Sequence, residues 1–332
     1  MKVLFIGGTG VMSTEVTRLA LERGMDITMV NRGNHPERVP EGVKVINGSL
    51  DDADVQAQVT AEYWDVVMNF VVYKPEQAER DIQLFNGKCV HYLVVTSACI
   101  YEKPVHALPM TESTHVANSV WGYANDKIAM EEIYRKAYKE LDFPVTMVRP
   151  SHTYNKWTLP LGFGSAWPVI SRIQRGLPII IHGDGSSVWT ITQARDVAKG
   201  MIGLFGNSHA FGETVHLTTD EFLTWDDIYK SIARALHKDI NIVHISTDMI
   251  CDAYPEELGH FMGDATHCAI FDNTKIKRLV PGFQCEVQAD AGLRESVEYI
   301  LAHPELHVES PEFDEKCDKL LAAREAFMSL FK

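Results

Sequence analysis

Two side chains four residues apart can do proton chemistry here. In Trp121-Gly122-Tyr123-Ala124-Asn125-Asp126-Lys127, a helix would put Tyr123 and Lys127 on one face. A free tyrosine, with a pKa of roughly 10, is a poor base at neutral pH. A neighbouring ammonium, together with an oxidised nicotinamide, favours the phenolate. That phenolate takes the proton of a carbinol as hydride departs, and in the reverse direction the phenol protonates an alkoxide. The spacing is common by chance, so other residues must support it. Tyr92-Leu93-Val94-Val95 reads as a strand that ends in Thr96-Ser97-Ala98-Cys99-Ile100-Tyr101. The carboxyl end of a strand faces the ligand crevice of an open parallel sheet, so Ser97 is placed to hydrogen-bond a substrate oxygen. Glu131 follows Lys127 by one helical turn.

A second group of residues suits a pyrophosphate. Gly7-Gly8-Thr9-Gly10-Val11-Met12-Ser13 follows a strand-like run and opens a helix-like one. Gly7 suits a tight turn with positive φ, and Gly10 suits close approach of the backbone to the anion. Ser13 stands where a third glycine is usual and is small enough for close packing. The N–H groups from Thr9 to Met12 then face the phosphates; a plain strand-to-helix turn is the competing reading. After the second strand comes Val30-Asn31-Arg32-Gly33. An acidic residue here would bind the adenosine ribose and reject a 2′-phosphate. Asn31 followed by Arg32 tolerates that phosphate, which favours NADP over NAD, with Arg32 as a solvated surface charge the alternative. Ser49 and Leu50, after the third strand, are placed to meet the adenine. Asp51 and Asp52 fit a helix start equally well.

These residues need a frame. Strands are expected at Val3–Ile6, Asp26–Val30, Val43–Ile46, Asp65–Val72, Tyr92–Val95 and Val145–Val148. Helices are expected at Thr14–Arg23, Asp51–Val59, Glu76–Phe85 and Gly122–Glu140. Alternation of this kind predicts an α/β fold, a Rossmann-type doubly wound parallel sheet, with a smaller mixed C-terminal substrate domain. The dinucleotide-binding part covers residues 1–150 with a return near 190–220. Residues 151–189 and 221–332 form the substrate part, with helices over 224–237, 291–301 and 314–328. Residues 151–190 are rich in Pro, Gly and aromatic residues.

Composition narrows the functions. Of 332 residues, 45% are hydrophobic and 23% charged, which suits a globular core and excludes disorder as the main character. With 31 Lys and Arg against 45 Asp and Glu, the net charge of -14 disfavours nucleic acid and acidic membrane surfaces as partners. The apolar start is too short for a signal peptide. The six cysteines form no CxxC pair and are expected to be reduced thiols in the cytoplasm. The 14 histidines form no HxH or HxxxH cluster, so no metal is expected.

Taken in order, GGTG at 7–10, TSACIY at 96–101, YANDK at 123–127, RP at 149–150, GDGSSVWTITQARD at 183–196 and FDNTK at 271–275 carry a resemblance. The chain resembles the extended short-chain dehydrogenase/reductase superfamily, in its NAD-dependent epimerase/dehydratase branch. It looks closest to the atypical members that include plant chloroplast stem-loop-binding relatives. The resemblance implies catalytic roles for Ser97, Tyr123 and Lys127, with Lys127 also on the nicotinamide ribose, and it makes a homodimer plausible.

Departures from the family pattern bear on the substrate. Sugar-nucleotide dehydratases carry an acidic pair directly after the catalytic hydroxyl. Here Ser97 is followed by Ala98 and Cys99, which argues against a 4,6-dehydratase. Nucleotide-sugar members hold the diphosphate with an asparagine where this chain has His152, and with an arginine where it has Trp189. An indole stacks on sugar C–H surfaces and cannot neutralise phosphate. The expected substrate is therefore carbohydrate-like but not a nucleotide sugar. His152 as a structural histidine and Trp189 as a core residue are the competing readings. Trp157, Phe163, Trp167 and His182 are further lining candidates. The expected activity is NAD(P)-dependent hydride transfer at a carbinol or ketone, by a reductase, dehydrogenase or epimerase. The alternative is a dinucleotide-binding sensor or RNA-contacting protein with little catalysis.

Overall fold

The computed structural model describes residues 1–331. The first half alternates strands and helices: β1 (Lys2–Ile6), α1 (Val11–Glu22), β2 (Asp26–Asn31), β3 (Lys44–Asn47), α2 (Ala53–Thr60), β4 (Trp64–Asn69), α3 (Pro75–Phe85), β5 (Cys89–Val95), α4 (Gly122–Leu141) and β6 (Val145–Pro150). Then come β7 (His152–Tyr154), α5 (Ala166–Gln174), β8 (Ile179–His182), β9 (Val188–Trp189), β10 (Ile191–Gln193), α6 (Ala194–Leu204), β11 (Thr214–Leu217) and β12 (Leu223–Thr224). The chain ends with α7 (Trp225–Ala235), β13 (Ile242–Ile245), α8 (Thr247–Ala253), α9 (Leu258–His260), a π-helical turn (Phe261–Ala265), α10 (Thr274–Leu279), α11 (Ala289–Ala302) and α12 (Pro311–Ser329).

Seven strands form one sheet in the order β11-β6-β5-β4-β1-β2-β3, with every neighbouring pair parallel. A parallel sheet is covered on both faces, so its inner strands are largely apolar, while the edge strand β3 is mostly exposed. In β1, Val3 and Phe5 pack with Val16, Ala20, Val197 and Met201 on one face. Leu4 and Ile6 pack with Val55, Phe85, Met130 and Tyr134 on the other. The strand order reverses at β1, with β2 on one side and β4 on the other, and the crevice over their carboxyl ends is where such sheets take ligands. This confirms the doubly wound parallel sheet.

Element ends shift for local reasons. The strand expected to run to Val72 stops at Asn69, whose side-chain oxygen accepts the Val71 N–H at 2.9 Å and turns the chain over Gly7. Helix α1 begins at Val11 because Gly10 is its N-cap. Helix α5 sits in the segment read as irregular. Its Pro168 falls in the first turn, where a missing N–H costs nothing.

The remaining residues build a separate apolar cluster around Trp189, Trp225, Tyr229, Ile232, Leu293 and Val297. Helix α7 starts from a capping box in which Thr224 and Asp227 satisfy each other's backbone N–H groups, and this fixes Trp225 at its first position. Among the described residues no helix is long and apolar enough to cross a membrane, and all six cysteines are free thiols.

Candidate active site

The glycine loop lies at the carboxyl end of β1. Gly7 has φ +82°, and a Cβ there would fall 2.5 Å from Val71 Cγ1, so glycine is required on both counts. Ser13 does more than pack: its hydroxyl accepts the Gly10 N–H at 2.8 Å. The N–H groups of Val11 and Met12, in the first helical turn, have no intrahelical acceptor and point towards the crevice as anion donors. This cradle of a positive-φ glycine and open helix N–H groups fits a dinucleotide pyrophosphate.

Asn31 ties the neighbouring loop to it. Its Nδ2 donates to Thr9 Oγ1 at 3.0 Å, and its Oδ1 accepts the Gly33 N–H at 3.0 Å. Arg32 is exposed. A second guanidinium, missed in the sequence, is Arg38, which donates to Thr9 O at 3.4 Å and lies over the Trp157 ring at 4.8 Å. Arg38 also pairs with Glu37 at 3.5 Å, so of the two cations in this loop only Arg32 is without a carboxylate partner among the described residues. Ser49 and Leu50 sit in a turn where Asp52 accepts the Ser49 N–H at 2.7 Å, and Leu50 is buried. Asp52 is the N-cap residue of α2, and Asp51 pairs with Arg80.

Ser97 leaves β5 in extended conformation and caps a short 3₁₀ turn, its hydroxyl accepting the Cys99 N–H at 3.3 Å. Tyr123 lies one residue into α4, its ring centroid 5.1 Å from that of Trp121, and it lines the same cavity as Ser97. Lys127, one turn on, is buried beneath them. Its ammonium donates to Val72 O at 2.5 Å and Val95 O at 3.2 Å, and stands 5.6 Å from the Tyr123 ring centroid. The structure thus brings all three residues together at the crevice.

Their electrostatics amend the sequence argument. Burial pushes the Tyr123 phenol above its usual pKa, and the Ser97 hydroxyl only partly opposes this. Burial also lowers Lys127 to about 8. In the protein alone the ammonium does not bring the phenol towards neutrality, because two carbonyls rather than the phenol oxygen hold it.

The frame beneath is ionic. Glu131 accepts from Arg149 Nε and Thr96 Oγ1, both at 2.8 Å, and from Arg135 at 2.6 Å. Arg149 also donates to the Tyr101 hydroxyl at 2.7 Å. His216 Nδ1 faces the Asp272 carbonyl at 3.2 Å and must donate there, so its Nε2 accepts from Tyr101. This network holds Thr96 and Tyr101, on either side of the Ser97 turn, against α4.

A cavity of about 340 Å³ opens beside Ser97 and Tyr123. Trp121, Trp189 and Trp225 wall it, with Ser151, His152, His260 and Asp264 as its other polar groups. Among the described residues no lysine or arginine lines it. Trp189 is 3% exposed and donates to Ala265 O at 3.1 Å, so the two readings posed for it merge: core residue and cavity wall. His152 lies edge-on to Trp189 and Trp225, and burial lowers it to about 4, so it is neutral at pH 7. Of the further lining candidates, none reaches this cavity. Phe163 lines an adjoining one, which His152 and His260 share. His182 bonds to Ala265 O, and Trp167 stacks on His307. Trp225, His260 and Asp264 were missed because long-range folding, not local spacing, brings them here.

Comparison with known proteins agrees with this geometry. The family described as "NAD dependent epimerase/dehydratase family" matches residues 3–215. A 2'-dehydrokanamycin reductase of Streptomyces kanamyceticus is 25% identical over 289 residues, 86% of this chain and 80% of that protein. The chloroplast stem-loop binding protein of 41 kDa b of Arabidopsis thaliana is 24% identical over 250 residues, 70% of this chain and 63% of that one. Among solved structures, the epimerase Mth375 of Methanothermobacter thermautotrophicus superimposes with a TM-score of 0.76 at 16% identity. It covers 92% of this chain and 94% of that one.

Proposed function

The chain belongs to the NAD dependent epimerase/dehydratase family, and from that premise we propose that it is an NADP-preferring reductase or dehydrogenase acting on a carbohydrate-like substrate without a nucleotide diphosphate. One observation carries this reading. Ser97 and Tyr123 share an indole-walled cavity that, among the described residues, no lysine or arginine lines. A diphosphate needs fixed cations, whereas indole faces suit the C–H surfaces of a sugar ring. The reductase of Streptomyces kanamyceticus, whose name describes reduction of an oxidised sugar-containing compound, supports the same reaction class.

The bound nicotinamide supplies or accepts the hydride. The chain's residues handle the proton and the geometry. Ser97 donates to the substrate oxygen and polarises it. Tyr123 gives its proton to that oxygen as the carbonyl carbon is reduced, or takes it back in oxidation. Lys127 would hold the cofactor ribose by sharing the ammonium now bound to Val72 O and Val95 O, and its charge, added to that of an oxidised ring, would offset the burial that keeps the phenol protonated. Val11 and Met12 bind the pyrophosphate. Ser49 and Leu50 flank the adenine.

The test is consumption of reduced cofactor by the purified protein against a panel of keto sugars and oxidised glycosides. Turnover of a diphosphate-free member supports the reading, and turnover of nucleotide sugars alone would overturn it. Arg32→Ala should weaken NADP binding about 10-fold or more, the loss of a charge-assisted phosphate contact, and leave NAD binding nearly unchanged. Equal losses in titration calorimetry would refute the phosphate pairing.

The stem-loop-binding relative raises RNA contact as a second reading. The complete Ser–Tyr–Lys set and the net charge of -14 weigh against it. A salt-sensitive RNA gel shift would favour it.

A further inference from the structure

Asp264 is the one formally charged carboxylate in the cavity lining. It comes from the C-terminal part of the chain, lines the same cavity as Ser97 and Tyr123, and has its backbone fixed from several directions. Helix α9 and the π-helical turn that follows it and carries Asp264 dock on the loop before α4 through one glycine each. A Cβ on Gly259 would fall 2.3 Å from Trp121 Cδ1, and one on Gly263 would fall 2.8 Å from Trp121 Cβ. Asn118 Nδ2 bridges Gly263 O at 2.9 Å and Cys99 O at 3.2 Å. The next carbonyl, of Ala265, accepts from His182, Trp189 and Trp225 at 3.0, 3.1 and 2.9 Å. Single-turn π-helices of this kind are frequent at functional sites.

The side chain itself is unsatisfied. The Asp264 carboxylate accepts no hydrogen bond from any described residue. Its partner is the Lys103 ammonium, 3.5 Å away and behind the cavity wall, on a side chain only 5% exposed. That ammonium also has no hydrogen-bond acceptor. A buried carboxylate costs free energy unless its lone pairs are filled. Burial raises the Asp264 pKa and outweighs Lys103, which favours the charged carboxylate; this leaves hydrogen-bond donors on a ligand in the cavity to complete the stabilisation. The His152 imidazole, in the same lining, likewise has no protein hydrogen bond among the described residues.

We infer that Asp264 is the substrate anchor of this site: its carboxylate, balanced by Lys103, accepts hydrogen bonds from adjacent donors, hydroxyl or ammonium, on a sugar ring whose carbinol faces Tyr123. The inference rests on the function proposed above and names its substrate class, a polyhydroxylated or aminated ring free of phosphate and carboxylate. An anionic ring substituent next to Asp264 would be repelled. The three indoles hold the apolar faces of the ring, and neutral His152 gives one further hydrogen bond.

The test uses the full chain loaded with NADP⁺. Methyl α-glucopyranoside, its 2-amino-2-deoxy analogue and the N-acetyl form of that analogue are titrated in, and quenching of indole fluorescence is followed. At least one probe quenches the unaltered protein saturably. Asp264→Asn raises its dissociation constant at least ~10-fold, the loss expected for one charge-assisted hydrogen bond. Preference for the free amine identifies the donor as ammonium, and equal binding identifies hydroxyls. No saturable quenching, or equal affinity in Asp264→Asn, overturns the inference. Should the single variant fail to fold, Asp264→Asn combined with Lys103→Met removes both charges, leaves no uncompensated ammonium and must show the same loss. Asp264-dependent binding without any hydride transfer would defeat the proposed function alone. Hydride transfer with a KM unchanged by Asp264→Asn would defeat this inference alone.

Discussion

Tyr123→Phe lowers turnover at least ~100-fold, the lower end of what a positioned general acid or base contributes. The change removes one oxygen and keeps the ring that packs 5.1 Å from Trp121, so fold and cofactor affinity should be retained. The phenol is pushed up by burial and stands protonated at neutral pH, the form that reduction needs. In reduction the variant leaves the developing alkoxide with only the Ser97 hydroxyl as a hydrogen-bond donor, a far weaker acid than a phenol, since Lys127 is held by Val72 O and Val95 O. Stopped-flow measurement of hydride transfer separates this step from cofactor release. A rate within a few fold of the parent would remove Tyr123 from the mechanism and leave the Ser97 hydroxyl as the remaining candidate.

The largest expected effect on stability is at Glu131. Its carboxylate is buried between Arg149 and Arg135 and also accepts from Thr96. Glu131→Gln keeps the shape and removes the charge, which leaves the fully buried Arg149 guanidinium without its counter-ion. Breaking one side of a buried pair costs about 3–5 kcal/mol, measurable as a lower midpoint in urea. Replacing both Glu131 and Arg149 by Met should recover part of that loss, because the penalty lies mainly in the orphaned charge. Burial raises the Glu131 pKa, but the two guanidiniums outweigh it and hold the carboxyl below its usual value. Its contribution is therefore present above the unfolded carboxylate pKa and is lost as pH falls through the lower folded value. A Glu131→Gln protein whose acid stability profile matched that of the parent would show that the pair contributes nothing.

The dinucleotide half was legible because its signals are local. Alternating apolar runs give the strands, and Gly7 is fixed by a turn that only its own φ and Val71 dictate. Tyr123 and Lys127 were legible for the same reason, since helical spacing puts them on one face. Arg38 was not. It reaches Thr9 from 29 residues away through an irregular loop with no periodicity to read. Asp264 was hidden more deeply. Its partner Lys103 and the glycines that seat it on Trp121 lie in separate segments, and only the folded chain makes them neighbours. The electrostatic error about Lys127 has the same origin. Spacing places the ammonium near the phenol, but the carbonyls that claim it come from the ends of β4 and β5.

The Ala265 carbonyl has a consequence for how this pocket can change. One backbone oxygen terminates three aromatic side chains that wall or back the cavity. Altering either tryptophan or the histidine frees a share of that oxygen and disturbs the other two. Drift towards new substrates should therefore be channelled through positions outside this shared attachment, while the aromatic walls change together or not at all.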